Sequence, residues 1–82
     1  MSPRWTKDER FVIAAYETAM KLQDPQAEMD RYKVGESCGL SPKAVDTICN
    51  LLAQANFIKK TGKVEMFLTP HGINLAERLR SE

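Results

Sequence analysis

The stretch GLSPKAVDTICNLL, residues 39 to 52, holds a helix stop and a helix start almost side by side. Gly39 can take the left-handed backbone conformation that closes a helix. Two residues later Ser41-Pro42 supplies a capping hydroxyl and a first helical residue whose φ is already set. Leu40 and Val45 have the spacing of a hydrophobic staple across that start. Two helices therefore meet at a short turn. In the second of them, Ala44, Ile48, Leu51 and Ala55, flanked by Val45 and Leu52, form the expected buried stripe. Asn56, which tolerates left-handed geometry better than most residues, is expected to end it.

Working upstream, Asp30 can cap the helix that ends at Gly39, with Met29 and Val34 spaced as a second staple. Earlier still, Thr6 and Glu9 have capping-box spacing, in which each side chain satisfies a backbone donor left free by the first turn. The helix they start is expected to run to about Gln23, with Phe11, Ala15, Ala19 and Leu22 on one stripe and Val12, Tyr16 and Met20 beside it. Asp24-Pro25 should stop it. Downstream of Asn56 the period changes to two. Residues 57–60 and 64–69 read as strands, with Val64, Met66 and Leu68 on one face. Lys60-Thr61-Gly62 suits a turn closed by a glycine bulge, since Gly62 can supply the positive φ. Thr69-Pro70 then caps and opens a last helix, with Leu68 and Ile73 as its staple.

Eighty-two residues make one domain, 1–82, with room for a single small core. The chain is 43% hydrophobic and 28% charged with a formal net charge of +1, so any nucleic-acid argument must be local rather than global. The short apolar run from Phe11 to Tyr16 is flanked by charge and does not read as a secretory signal. Nothing approaches the roughly 18 apolar residues of a membrane span. The two cysteines, Cys38 and Cys49, are too few for a disulfide scaffold and fall where core side chains are wanted. They read as buried free thiols of a cytoplasmic protein. One histidine, His71, without paired metal-ligand spacing, leaves no zinc site, and no cofactor motif is present.

The order helix, helix, turn, helix, two-stranded ribbon, helix resembles the winged helix-turn-helix domain, a mainly α (α+β) fold. In that fold a three-helix bundle is followed by a two-stranded wing and a final helix. The helix-turn-helix would span about residues 30–55, the wing about 57–69 and the last helix about 70–81. Gly35, four residues before Gly39, stands where the two helices must approach closely, and Leu40, Val45 and Ile48 stand where apolar residues close the angle between them. The stretch LLAQANFIKKTGKVEMFLTPHG, residues 51–72, is similar to the recognition helix, wing and following helix of MarR-like and PadR-like transcriptional regulators. Those families usually have glycine at the position of Asn56, and favour a Leu-Thr-x-x-Gly pattern like Leu68, Thr69 and Gly72. The resemblance implies a regulator that binds double-stranded DNA. Relatives of this kind usually dimerise through additional helices; here a homodimer would use the first and last helices, or the chain would act as a monomer.

Lys43, Thr47, Asn50 and Gln54 lie in one line on the solvent side of the helix after the turn, and Ser41 stands at its start. Asn and Gln can bond adenine at two atoms, Lys can reach guanine or a phosphate, and a Thr methyl can touch thymine. Asp46 on the same side has two readings: it repels phosphate, or it accepts from the amino group of cytosine. Lys59, Lys60 and Lys63 at the wing suit phosphate contact, and equally suit protection of a strand edge. Arg31 and Lys33 could add backbone contacts or be solvated. Trp5, Tyr32 and Phe67 are the aromatic residues least accounted for by the core stripes, and they favour the alternative of a protein-docking module. Catalysis has little support. Ser37, Cys38 and His71 are types that carry nucleophilic chemistry, but no third group is evident, and the chain is not expected to be an enzyme.

Overall fold

The computed structural model of the chain describes residues 5–81. Residues 1–4 and 82 of the expected domain lie outside the described residues. The elements in chain order are α1 (Lys7–Lys21), β1 (Met29–Asp30), α2 (Arg31–Ser37), α3 (Pro42–Gln54), β2 (Ile58–Thr61), β3 (Glu65–Leu68) and α4 (Pro70–Ser81). They make a mixed α+β fold of four helices and a three-stranded antiparallel sheet in the order β1-β3-β2.

Each helix starts at the cap its sequence provides. Thr6 and Glu9 form the reciprocal box, with Thr6 N–H donating to Glu9 Oε1 at 2.8 Å and Glu9 N–H to Thr6 Oγ1 at 3.2 Å. Asp30 accepts from the Tyr32 and Lys33 amides, and Ser41 accepts from the Ala44 amide. Thr69 Oγ1 accepts from the Gly72 amide at 3.1 Å. Caps of this kind each stabilise by about 1 kcal/mol.

The helix ends share a mechanism. After α2, Gly39 N–H donates to the Glu36 carbonyl and Leu40 N–H to the Gly35 carbonyl, with Gly39 at φ +78°. After α3, Asn56 and Phe57 donate to Ala53 and Leu52 in the same pattern, with Asn56 at φ 65°. These are Schellman closures, which satisfy carbonyls the last turn leaves free. Helix α1 closes likewise, with Gln23 at φ 62° and Gln23 and Asp24 donating to Met20 and Ala19. The helix therefore ends at Lys21, two residues earlier than the sequence implies, and the expected stop at Asp24-Pro25 comes after the closure.

The ribbon expected to have two strands is part of a three-stranded sheet. Met29 and Asp30 pair with Met66 and Glu65. Two residues carry too little alternation to register as a strand, and their pairing is decided by β3, distant in sequence. The hairpin turn is also displaced by one residue. Thr61 pairs with Glu65 and stays in β2, which leaves residues 62–64 as the loop, with Gly62 at φ +55°. Phe57 precedes β2 rather than belonging to it, and Val64 lies outside β3 and is half-buried.

The core joins Phe11, Val12, Ala15 and Ala19 of α1 to Val45, Ile48, Cys49 and Leu52 of α3 and to Ile58, Met66 and Leu68 of the sheet. The buried side of α3 is thus rotated from the expected stripe. Ile48 is buried, but Leu51 is 55% exposed and Ala55 is exposed. Val45, Cys49 and Leu52 fill the centre instead, roughly 100° around the helix at 100° per residue. In α1, Leu22 is 56% exposed because the closure at Gln23 turns the chain away before it meets the core, and Met20 is 46% exposed on the side of the helix it shares with exposed Glu17 and Lys21. Cys38, expected in the core, is only half-buried.

Candidate nucleic-acid interface

Helix α3 is held by its buried side against α1, α2 and the sheet, so its opposite side is free. Ser41, Lys43, Asp46, Thr47, Asn50 and Gln54 are all exposed along it. The Ser41 hydroxyl already accepts from the Ala44 amide at 3.2 Å, and Thr47 Oγ1 donates to the Lys43 carbonyl at 3.3 Å. Two of the others are bridged to neighbouring elements. The Tyr32 hydroxyl, from α2, donates to Asp46 Oδ1 at 2.5 Å. Lys60 Nζ, from β2, donates to Asn50 Oδ1 at 2.5 Å. Lys43 and Gln54 carry no side-chain hydrogen bond among the described residues.

The hairpin lysines separate by strand alternation. Lys60 is opposite Met66 in register and shares the face of Ile58 and Leu68, so its stem runs along the core side and its ammonium emerges beside α3. Lys59 is opposite Phe67 and belongs to the other face. Lys63 lies in the loop. The three lysines that look like one cluster in the sequence therefore form one contact with α3, one position on the far face and one at the tip.

Arg31 has a destination that neither expectation for it named. Its guanidinium donates to the carbonyls of Lys63 at 2.9 Å and Glu65 at 3.4 Å, while its backbone amide donates to Val64 at 3.0 Å. A planar fork of donors suits several carbonyls of a tight loop at once. The hairpin tip is thereby fastened to the first turn of α2. No local signal in the sequence announces this, because donor and acceptors are more than thirty residues apart. Lys33 is exposed.

Of Trp5, Tyr32 and Phe67, Tyr32 packs partly on the core and carries the Arg31 guanidinium 4.9 Å from its ring centre. The hydrogen bond to Asp46 pushes the Tyr32 hydroxyl up from the ordinary tyrosine range, with desolvation adding to it. Tyr32 thus positions an acid on α3. Phe67 is half-buried on the face it shares with Lys59, away from the core side of the sheet. Trp5 is half-buried, and its indole N–H finds no acceptor among the described residues.

Comparison of the chain with family models, curated proteins and solved structures finds no match. Among the described residues no group of three or more His, Cys, Asp or Glu could hold a metal ion, and no helix is long and apolar enough to cross a membrane. Burial pushes the Cys49 thiol up to about 11 and raises that of Cys38, so neither is an activated thiolate at neutral pH. His71 stacks on Phe57 with ring centres 4.5 Å apart and lies far along the chain from Ser37 and Cys38. The exposed side of α3 is polar, and the Lys60 ammonium of the hairpin lies against it at Asn50.

Proposed function

We propose that this chain is a winged helix-turn-helix transcriptional regulator of the cytoplasm that binds double-stranded DNA, with α3 in the major groove. Its strongest support is the bond between Lys60 and Asn50, which joins hairpin and helix face into one continuous surface. An exposed helix carrying Lys43, Thr47, Asn50 and Gln54 can present side chains to base edges. Lys60, beside α3, and Lys63, at the tip, are assigned to phosphates, which give affinity without sequence information. Fastening of the hairpin tip by Arg31 keeps Lys63 at a fixed place relative to the helix.

Two wings on one duplex call for two-fold symmetry, so a homodimer through α1 and α4 belongs to this reading. Met20 is 46% exposed on α1, beside the Glu17–Arg80 ion pair that links α1 to α4. The alternative is a protein-docking module using Phe67 and α1 or α4, favoured by the exposure of Met20 and Leu22.

Binding of the chain to random-sequence duplex DNA at two salt concentrations decides between them. DNA binding should weaken with salt, and the Lys60→Ala, Lys63→Ala double variant should reduce the salt slope by about 0.9 for each phosphate no longer neutralised. Absence of duplex binding at low salt would overturn the regulator reading in favour of docking. Sedimentation at tens of micromolar tests the dimer.

A further inference from the structure

Residues 62–64 connect β2 to β3 and carry Lys63 at their centre. Short loops at sheet ends are ordinarily among the more mobile parts of a fold. This one is held from outside the hairpin by a single residue. Arg31 Nη2 donates to the Lys63 carbonyl at 2.9 Å, the Arg31 amide to the Val64 carbonyl at 3.0 Å, and Arg31 Nη1 to the Glu65 carbonyl at 3.4 Å. Three successive carbonyls thus face one arginine, which fixes the peptide planes between them. The Glu65 carboxylate meanwhile fills the space that a side chain at residue 62 would take, so the loop closes over Gly62. The guanidinium is itself oriented. It lies 4.9 Å from the centre of the Tyr32 ring, and the Tyr32 hydroxyl donates to Asp46 of α3 at 2.5 Å.

Both terminal nitrogens of Arg31 are engaged by carbonyls, whereas the exposed Lys63 side chain makes no hydrogen bond among the described residues. The cation that the loop offers to a partner is Lys63, and Arg31 holds the backbone beneath it. Granted the DNA-binding reading on which it rests, we infer that Arg31 is the positioning residue for the phosphate contact of Lys63 and supplies no such contact of its own. By ordering the loop in the free protein, it removes backbone freedom that Lys63 and its neighbours would otherwise lose on meeting a phosphate. The role needs the fork rather than the charge. Arg31→Lys keeps a cation at the position, but a single ammonium has no paired nitrogens to set on the Lys63 and Glu65 carbonyls together.

Loop order and duplex affinity, measured on the same variants of the full chain, test this. Backbone order parameters from NMR relaxation should be about 0.85 at residues 62–64 in the parent, and should fall below about 0.6 in both Arg31→Gln and Arg31→Lys. Across α3 they should keep the parent value, since only the loop loses its holder. Affinity for random-sequence duplex should drop about tenfold in each variant, because the loop must then be ordered on binding. Lys63→Ala should cost less affinity in the Arg31→Lys background than in the parent, as the contact it removes is already weakened. Full parent affinity in Arg31→Lys would show that charge alone matters, and strictly additive losses would show that Arg31 and Lys63 act independently. Either result overturns the inference, as does a loop that stays ordered in both variants, and each leaves the DNA-binding reading standing. If the parent binds no duplex at low salt, the DNA-binding reading falls, and the inference with it.

Discussion

Two glycines inside helices, Gly35 in α2 and Gly72 in α4, sit where the chain approaches another segment closely, and they differ in what stands opposite. A Cβ at Gly35 would overlap the Cγ2 methyl of Val45 and come within 3.7 Å of Leu40 Cβ. A Cβ at Gly72 would overlap the carbonyl oxygen of Phe57 and lie 2.9 Å from its carbon. The first obstacle is a side-chain methyl, which can move or be removed. The second is backbone, and it is pinned: the same Phe57 carbonyl accepts from the Thr69 amide at 3.1 Å, and Thr69 Oγ1 donates to the Asn56 carbonyl at 2.5 Å. The crossing of α2 and α3 is therefore set by packing, which a second substitution can compensate. The seat of α4 is set by a hydrogen-bonded backbone corner, which it cannot.

The largest effect is expected at that corner. Gly72→Ala should destabilise by about 3 kcal/mol or more, since overpacking against fixed backbone has no cheap relaxation. In a chain of this size that lowers the melting temperature by roughly 12 °C or more. A melting curve within a degree or two of the parent would mean that the corner yields, and the distinction between the two glycines would fail.

Gly35→Leu should cost about 1 to 3 kcal/mol through the same mechanism with a softer opponent. Combining Gly35→Ala with Val45→Ala should recover part of what Gly35→Ala alone loses, seen by denaturant titration of the four members of the cycle. Strict additivity would show that Val45 is not what the new Cβ meets.

Gly39→Ala isolates the conformational component. Nothing lies within 4 Å of a Cβ there, and only the φ of +78° opposes the change. A cost of about 1 kcal/mol is expected, the penalty of left-handed backbone for a residue with a side chain. A cost as large as that of Gly35→Leu would point to a steric clash at the turn rather than to backbone conformation.

The features legible in the sequence are those whose bonds close within a few residues. Thr6 with Glu9, Asp30, Ser41-Pro42 and Thr69-Pro70 start helices where they stand, and Gly39 and Asn56 end them, because donor and acceptor in each case lie on adjacent turns. Alternation of Met66 and Leu68 likewise marks the buried face of β3. The rotation of α3 is not legible, because apolar residues extend over more than half its circumference. Leu51 looks as suited to the core as Leu52, and only the positions of α1 and β2 choose between them.

At the interface the sequence by itself determined that Lys43, Thr47, Asn50 and Gln54 share one line of α3, since their spacing is helical whatever the helix packs on, but not that Leu51 and Ala55 are exposed as well. Tertiary structure alone decided their hydrogen-bonding state. That the Asn50 carbonyl meets Lys60, that Asp46 has one oxygen held, that Lys59 and Lys60 part to opposite faces and that Arg31 grips the hairpin loop all depend on partners elsewhere in the chain. The physical reason is that a cap is closed by the chain's own next turn, whereas the direction of a side-chain hydrogen bond is fixed by whichever group folding brings to its other end.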